Sequence, residues 1–173
     1  MGDFSHLDDS GDAQMVDVGG KDVTQRRAVA RGWVYMQEET LDAIATEALE
    51  KGEVRQVSRI AGIMGAKRTD ELIPLCHQLP LENVDLQFGL HREAGAMEIL
   101  ATVGCSAKTG AEMEALTAVS TAALTIYDMC KGLDRAMSIG DVHLVRKTGG
   151  STGDFRHPDP PGPKPQLEME TED

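Results

Sequence analysis

Apolar positions change period several times along the chain, and each change marks an element. From Ala28 to Met36 the sequence reads as a strand, with Val29, Trp33, Val34 and Tyr35 as β-formers. Leu41, Ile44, Ala45, Ala48 and Leu49 then recur at helical spacing, and Gly52 stands just beyond as a stop. A second helix follows, with Val54, Val57, Ile60, Ala61 and Met64 along its apolar face. Gly62 and Gly65 inside it each cost about 1 kcal/mol relative to Ala, so another backbone is expected to pack closely there. Thr69 is positioned to cap a short turn that ends near Pro74.

Two period-2 segments come next. Val84, Leu86, Phe88 and Leu90 form one, and Met97, Ile99, Ala101, Val103 and Cys105 the other, joined as a hairpin around Glu93-Ala94-Gly95. Thr109 and Glu112 have the spacing of a capping box and open a helix to about Lys131, closed by Gly132. Its middle, Ala115 to Ile126, carries no charge, so it is expected to be buried all round, partly against neighbouring subunits. A last strand spans Ile139 to Val145. Helices mixed with antiparallel hairpin strands predict an α+β fold, with the helices on one face of the sheet.

Beyond this stretch the composition changes. Five of the seven prolines fall between 158 and 165, and an acidic run follows to Asp173. Three regions are therefore expected: a flexible N-terminus over 1–14, one folded domain over 15–155, and a disordered tail over 156–173.

Charge narrows the function. With 17 Lys and Arg against 29 Asp and Glu, the net charge is −12, and aromatic residues are only 3%. Such a chain lacks both phosphate attraction and stacking platforms, which disfavours general nucleic-acid binding. It can still hold an anion where its basic residues converge. Sparse large side chains favour burial by oligomerisation. No stretch of about eighteen apolar residues is present to span a membrane. The polar, acidic N-terminus does not read as a secretory signal. Cys76, Cys105 and Cys130 are odd in number, widely spaced and without a C-x-x-C pair, so reduced thiols in a cytoplasmic protein are expected rather than a zinc or iron–sulfur site.

Several polar positions could carry chemistry. Arg26, after Met15-Val16-Asp17-Val18 and Lys21, offers a planar fork suited to phosphate oxygens, or is an ordinary surface residue. Lys51 stands at a helix C-terminus, where the dipole alone would favour it. His77 follows the bend of Ile73-Pro74-Leu75-Cys76, either a proton-transfer group or a half-buried structural histidine. Glu112 and Glu114 open the apolar helix, where its dipole favours carboxylates. Near its far end, Asp128 and Lys131 have the spacing of a helical ion pair. They adjoin a run expected to be buried, where charge is costly unless paired or used. Lys147 precedes a glycine-rich loop, Thr148 to Gly153, that could cradle phosphate, although it lacks the order of a P-loop.

Strung together, these segments are more specific than any one alone. MVDV with Lys21 and Arg26, KGEV at Lys51, RIAGI, GAKRT, LIPLCH ending at His77, KTGAEMEALTA from Lys108, LTIYDMCK ending at Lys131 and GGSTGDF occur in order. The series closely resembles the molybdenum cofactor biosynthesis protein C family over roughly Met15 to Phe155. The resemblance implies a ferredoxin-like α+β layer assembled as hexamers, trimers of dimers, with active sites between subunits. It also implies conversion of 3′,8-cyclo-7,8-dihydro-GTP to cyclic pyranopterin monophosphate with release of pyrophosphate. No cofactor is implied, although Mg²⁺ could accompany the substrate phosphates. By the same resemblance Asp128, Lys51 and Lys131 are catalytic, with His77 and Glu112 beside them. Leu75, Cys76, His77, Met113 and Glu114 would contact substrate. Arg26 and Lys147 are expected to hold the polyphosphate. The sequence departs from the family's usual pattern at Gln78, Ser151 and Ala111. The alternative is a non-catalytic oligomer that binds a nucleotide or pterin, which would have no need of the charged set at Lys51, His77, Asp128 and Lys131.

Overall fold

The computed structural model describes residues 10–46, 53–150 and 153–169. In chain order these form β1 (Thr24–Tyr35), α1 (Glu38–Ala45), α2 (Val54–Ala66), α3 (Thr69–Leu72), β2 (Leu81–His91), β3 (Ala96–Ala107), α4 (Glu112–Cys130), β4 (Ser138–Thr148) and β5 (Phe155–Arg156). One antiparallel sheet has the order β2-β3-β1-β4-β5. β3 lies between β1 and β2, and β1 lies between β3 and β4. Each helical connection therefore skips one strand, which is the βαββαβ arrangement of a ferredoxin-like layer.

The hairpin follows its alternation. Leu86 faces the helices from β2, and Met97, Ile99, Ala101, Val103 and Cys105 do so from β3. Gly95, with φ of 58°, makes the turn in the left-handed region. β1 begins at Thr24 rather than Ala28, because its polar first residues pair with Gly104 to Ala107 at the rim of the sheet. Arg26 and Arg27 thus lie on a strand, not in a loop. α1 starts earlier than the periodicity indicated; its continuation to Leu49 and the stop at Gly52 fall outside the described residues.

α4 crosses the sheet, burying Ala115, Ala118, Val119, Ala122, Ala123 and Ile126. α2 packs beside it through only part of the face expected. Val54 is buried as expected, with Ser58, Gly62, Gly65 and Ala66, whereas Val57, Ile60 and Met64 are 43%, 59% and 45% exposed. Close approach decides the orientation: a Cβ on Gly62 would run into Leu86 and the Ala118 carbonyl, and one on Gly65 into Thr121. Two helices this close admit only small residues between them, so Val57, Ile60 and Met64 turn outward while Val54 and Ile63 still pack on the core.

Two caps also differ from expectation. Thr69 does not cap its turn; its hydroxyl donates back to the carbonyls of Gly65 and Ala66 at 3.4 and 3.1 Å. The helix preceding it offers nearer acceptors. At α4 the N-cap is Ala111 without a side-chain bond. Glu112 instead turns toward Lys147, whose ammonium donates to Oε1 at 2.9 Å. An ion pair has displaced the capping box.

Residues 156–169, read from composition as a disordered tail, run across the sheet face that the helices leave open. Glu98 is fully buried there, contacting the Nε of Arg31 at 2.8 Å and the Nε2 of His91 at 2.7 Å. The backbone amides of Gln166 and Leu167 donate to the same carboxylate at 3.0 and 3.1 Å, and Arg31 donates to the Leu167 carbonyl at 3.0 Å. Leu167 and Met169 pack on Val29, Leu100 and Val145. A buried carboxylate with spare acceptor capacity orders a segment that its composition alone does not.

Candidate active site

One end of the sheet brings the rim of β1, the turn before α4 and the end of β4 to a common point. Arg26 reaches across from β1, donating through Nε to the Ala107 carbonyl and through Nη2 to the Lys108 carbonyl, both at 3.3 Å. Lys108 donates to the Gly19 carbonyl at 2.6 Å, which ties the N-terminal loop to the same turn. Lys21, Arg26, Arg27, Lys108 and Lys147 then line a cavity of about 190 Å³ with Thr109, Gly110, Ala111 and Glu112. Five cations and the positive end of the α4 dipole face Glu112 alone among the lining carboxylates. In a chain of net charge −12 this concentration of positive charge selects an anion.

The glycine-rich loop closes this cavity for a steric reason. Gly149 and Gly150 have φ of 89° and 86°, in the left-handed region. A Cβ on Gly149 would overlap the Gln25 carbonyl, and one on Gly150 the Arg26 guanidinium. The backbone just beyond β4 therefore lies directly over the arginine fork.

A second chamber of about 320 Å³ adjoins the first and shares Lys21, Thr109, Gly110 and Glu112 with it. Leu75, Cys76 and His77 form one wall, Met113 and Glu114 another, and Val16, Val18 and Leu79 supply apolar cover. His77 itself is half-buried. Glu114 is nearly enclosed, at 4% exposure. Burial raises its carboxyl, its own backbone amide opposes this, and Glu112 and Asp70 raise it further, to about 7. Burial, with the charges of Glu114 and Asp70, also raises the Cys76 thiol. The chamber thus offers an imidazole, a thiol held toward its protonated form, and a carboxyl that titrates near neutrality.

The structure gathers Arg26, Lys147, Glu112, Leu75, Cys76, His77, Met113 and Glu114 into these two connected spaces. Asp128 and Lys131 lie elsewhere. They form an exposed ion pair at the far end of α4, about 24 Å along the helix from Glu112 at 1.5 Å per residue. Lys51 lies outside the described residues. Lys21, Arg27 and Lys108 join the cavity without having been singled out as site residues, although Lys21 and Lys108 stood within the strings quoted above. Among the described residues no group of three or more His, Cys, Asp or Glu is arranged to hold a metal ion, and no helix is long and apolar enough to cross a membrane. Cys76, Cys105 and Cys130 are free thiols.

Fold and cleft together define a ferredoxin-like α+β protein with an anion-binding cavity opening onto a small acid–base chamber. The chain belongs to the MoaC family, whose model matches residues 15–150. It is 57% identical over 156 residues to the cyclic pyranopterin monophosphate synthase of Chloroflexus aurantiacus (strain ATCC 29366), covering 90% of this chain and 96% of that protein. The protein of the same name from Roseiflexus sp. (strain RS-1) is 58% identical over 155 residues, covering 90% and 98%. That from Peptoclostridium acidaminophilum is 53% identical over 153 residues, covering 88% and 96%.

Proposed function

We infer that this chain is a cyclic pyranopterin monophosphate synthase of molybdenum cofactor biosynthesis. It converts 3′,8-cyclo-7,8-dihydro-GTP to cyclic pyranopterin monophosphate and releases pyrophosphate. The observation that carries this reading is the two-part cleft, in a chain 53–58% identical to proteins of that name.

The division of labour follows from the lining. The cationic cavity takes the polyphosphate, with Arg26 gripping by its planar fork and Lys147 acting as a point charge. In the phosphorus step a substrate oxygen attacks the α-phosphorus, the bond to the β-phosphate oxygen breaks, and pyrophosphate leaves. Fixed positive charge over the departing oxygens lowers that barrier. The ring system lies in the adjoining chamber between Leu75, Cys76 and His77 on one side and Met113 and Glu114 on the other. Ring opening and reclosure require several proton transfers, for which His77, Glu112 and Glu114 are the groups within the chamber. Mg²⁺, if it enters, comes with the substrate phosphates rather than as a resident ion. The reaction is a lyase reaction without a redox cofactor, carried out in the cytoplasm.

Asp128, Lys131 and Lys51 complete the catalytic set. The first two lie about 24 Å along α4 from Glu112, so in this reading the far end of α4 comes from another copy. A homohexamer built as a trimer of dimers, with sites between subunits, provides this. Support comes from the apolar side chains left outside: Val57, Ile60 and Met64 on α2, and Leu124 on α4 at 62% exposure.

Single-turnover conversion of 3′,8-cyclo-7,8-dihydro-GTP tests the assignment, following pyrophosphate and the oxidised pterin. The parent protein turns over and Lys51→Ala, folded and assembled to the same mass, does not. Binding without turnover by the parent would instead indicate a nucleotide-binding protein.

A further inference from the structure

The loop that precedes β1 serves both halves of the cleft. Val16 and Val18 are partly enclosed and cover the acid–base chamber, while Asp17, Gly19 and Lys21 alternate with them on the exposed side. Lys21 lines the chamber and the polyphosphate cavity alike. Two local bonds fold this loop on itself. The Gly19 amide donates to Oδ1 of Asp17 at 2.7 Å, and the Lys21 amide donates to the Val18 carbonyl at 3.1 Å. Neither bond reaches the sheet. Lys108 does so, its ammonium donating to the Gly19 carbonyl at 2.6 Å. The backbone of Lys108 is itself fixed, because Nη2 of Arg26 donates to its carbonyl at 3.3 Å. A continuous chain of bonds thus runs from β1 through Arg26 and Lys108 to the turn that carries Lys21.

A lysine beside an anion site ordinarily acts as a point charge. Lys108 is placed for another task, since its ammonium is aimed at the loop backbone between the two local bonds. We propose that Lys108 is a positioning residue that acts through this loop: it seats Lys21 against the polyphosphate and holds Val16 and Val18 over the ring system. The proposal rests on the assignment of the cationic cavity to polyphosphate and of the chamber to the ring. Its physical basis is preorganisation. An exposed loop containing Gly19 and Gly20 gives up much backbone freedom when it is ordered. With the anchor in place that ordering precedes the ligand, so Lys21 meets the anion already set. Without it the ligand must order the loop itself, and the cost is subtracted from affinity. The grip on the phosphates and the cover over the chamber then weaken together.

The test uses the full chain in two arms. Hydrogen exchange without ligand, followed in peptides spanning residues 15–21, compares the parent with Lys108→Met and Lys108→Arg. In Lys108→Met these amides should exchange about tenfold faster, the loss of one bond from a charged donor, with protection in β3 and α4 unchanged. Lys108→Arg keeps a charged donor of similar reach and should stay close to the parent. Calorimetric titration with inorganic pyrophosphate then completes a cycle with Lys21→Met. Lys108→Met should weaken binding about threefold to tenfold in the parent. Once Lys21 is gone the same change should cost less than about twofold, because the two lysines act as one unit. Unchanged exchange over 15–21 would overturn the proposal. So would equal weakening in both backgrounds, which is the behaviour of an independent point charge. A parent that fails to bind pyrophosphate would remove the cavity's assignment, whereas the exchange arm, run without ligand, still decides whether Lys108 holds the loop.

Discussion

Two buried carboxylates lie on opposite sides of one sheet, and their surroundings differ completely. Glu98 meets a guanidinium, an imidazole and two backbone amides. Glu114 meets its own amide and the like charges of Glu112 and Asp70, and its carboxyl is raised to about 7. A carboxylate enclosed among such partners serves architecture. A charge enclosed among like charges stays close to exchanging its proton, which is what a reaction centre needs. Burial alone thus says little about function; the difference lies in whether the fold supplies partners.

Breaking the satisfied side should have the largest effect. Glu98→Leu leaves Arg31 enclosed without its partner, and losing one member of a buried pair costs about 3–5 kcal/mol. Urea unfolding should show this loss, while turnover per folded molecule stays near that of the parent. A stability equal to the parent's would mean that the tail and its charge network contribute nothing to the fold.

The unsatisfied side should respond to pH. A carboxyl raised in the folded state binds its proton more tightly there than in the unfolded chain. Stability therefore falls as pH rises from about 4.5 to about 7, the ordinary and raised values, by up to about 3 kcal/mol in total. Glu114→Gln should flatten that slope, with unfolding measured at pH 5 and pH 8. An unchanged slope would place Glu114 in the same class as Glu98.

The smallest of the three concerns the cavity that both faces adjoin. Arg26→Ala removes charge-assisted hydrogen bonds of about 1.5–3 kcal/mol, so pyrophosphate and substrate should bind roughly ten- to a hundredfold more weakly. Arg26→Lys keeps the charge without the fork and should recover only part of the loss. Unchanged affinity in Arg26→Ala would remove the arginine from the polyphosphate site.

Local pattern carried much of this architecture. The hairpin from Leu81 to Ala107 was legible because period-2 burial is a property of each strand by itself. α2 misled because hydrophobicity points the large residues inward, whereas the distance to α4 is set by which residues are small. The course of residues 156–169 was not legible because its contacts are to Glu98, nearly seventy residues away. The same holds for the site. LIPLCH and the opening of α4 announced the chamber, yet no spacing shows that Arg26, Glu112 and Lys147 converge, because strand pairing brings them together. Asp128 and Lys131 lie at the other end of α4 from the two cavities, a separation that residue type alone does not show.

Gly149 and Gly150 carry a consequence for how this protein can vary. Every replacement of a glycine introduces a Cβ, and at these two positions that atom would strike the Gln25 backbone or the Arg26 side chain, on a backbone that disfavours it already. The wall over the arginine fork is therefore closed to gradual substitution. A side chain at either position therefore requires the strand end beneath it to move.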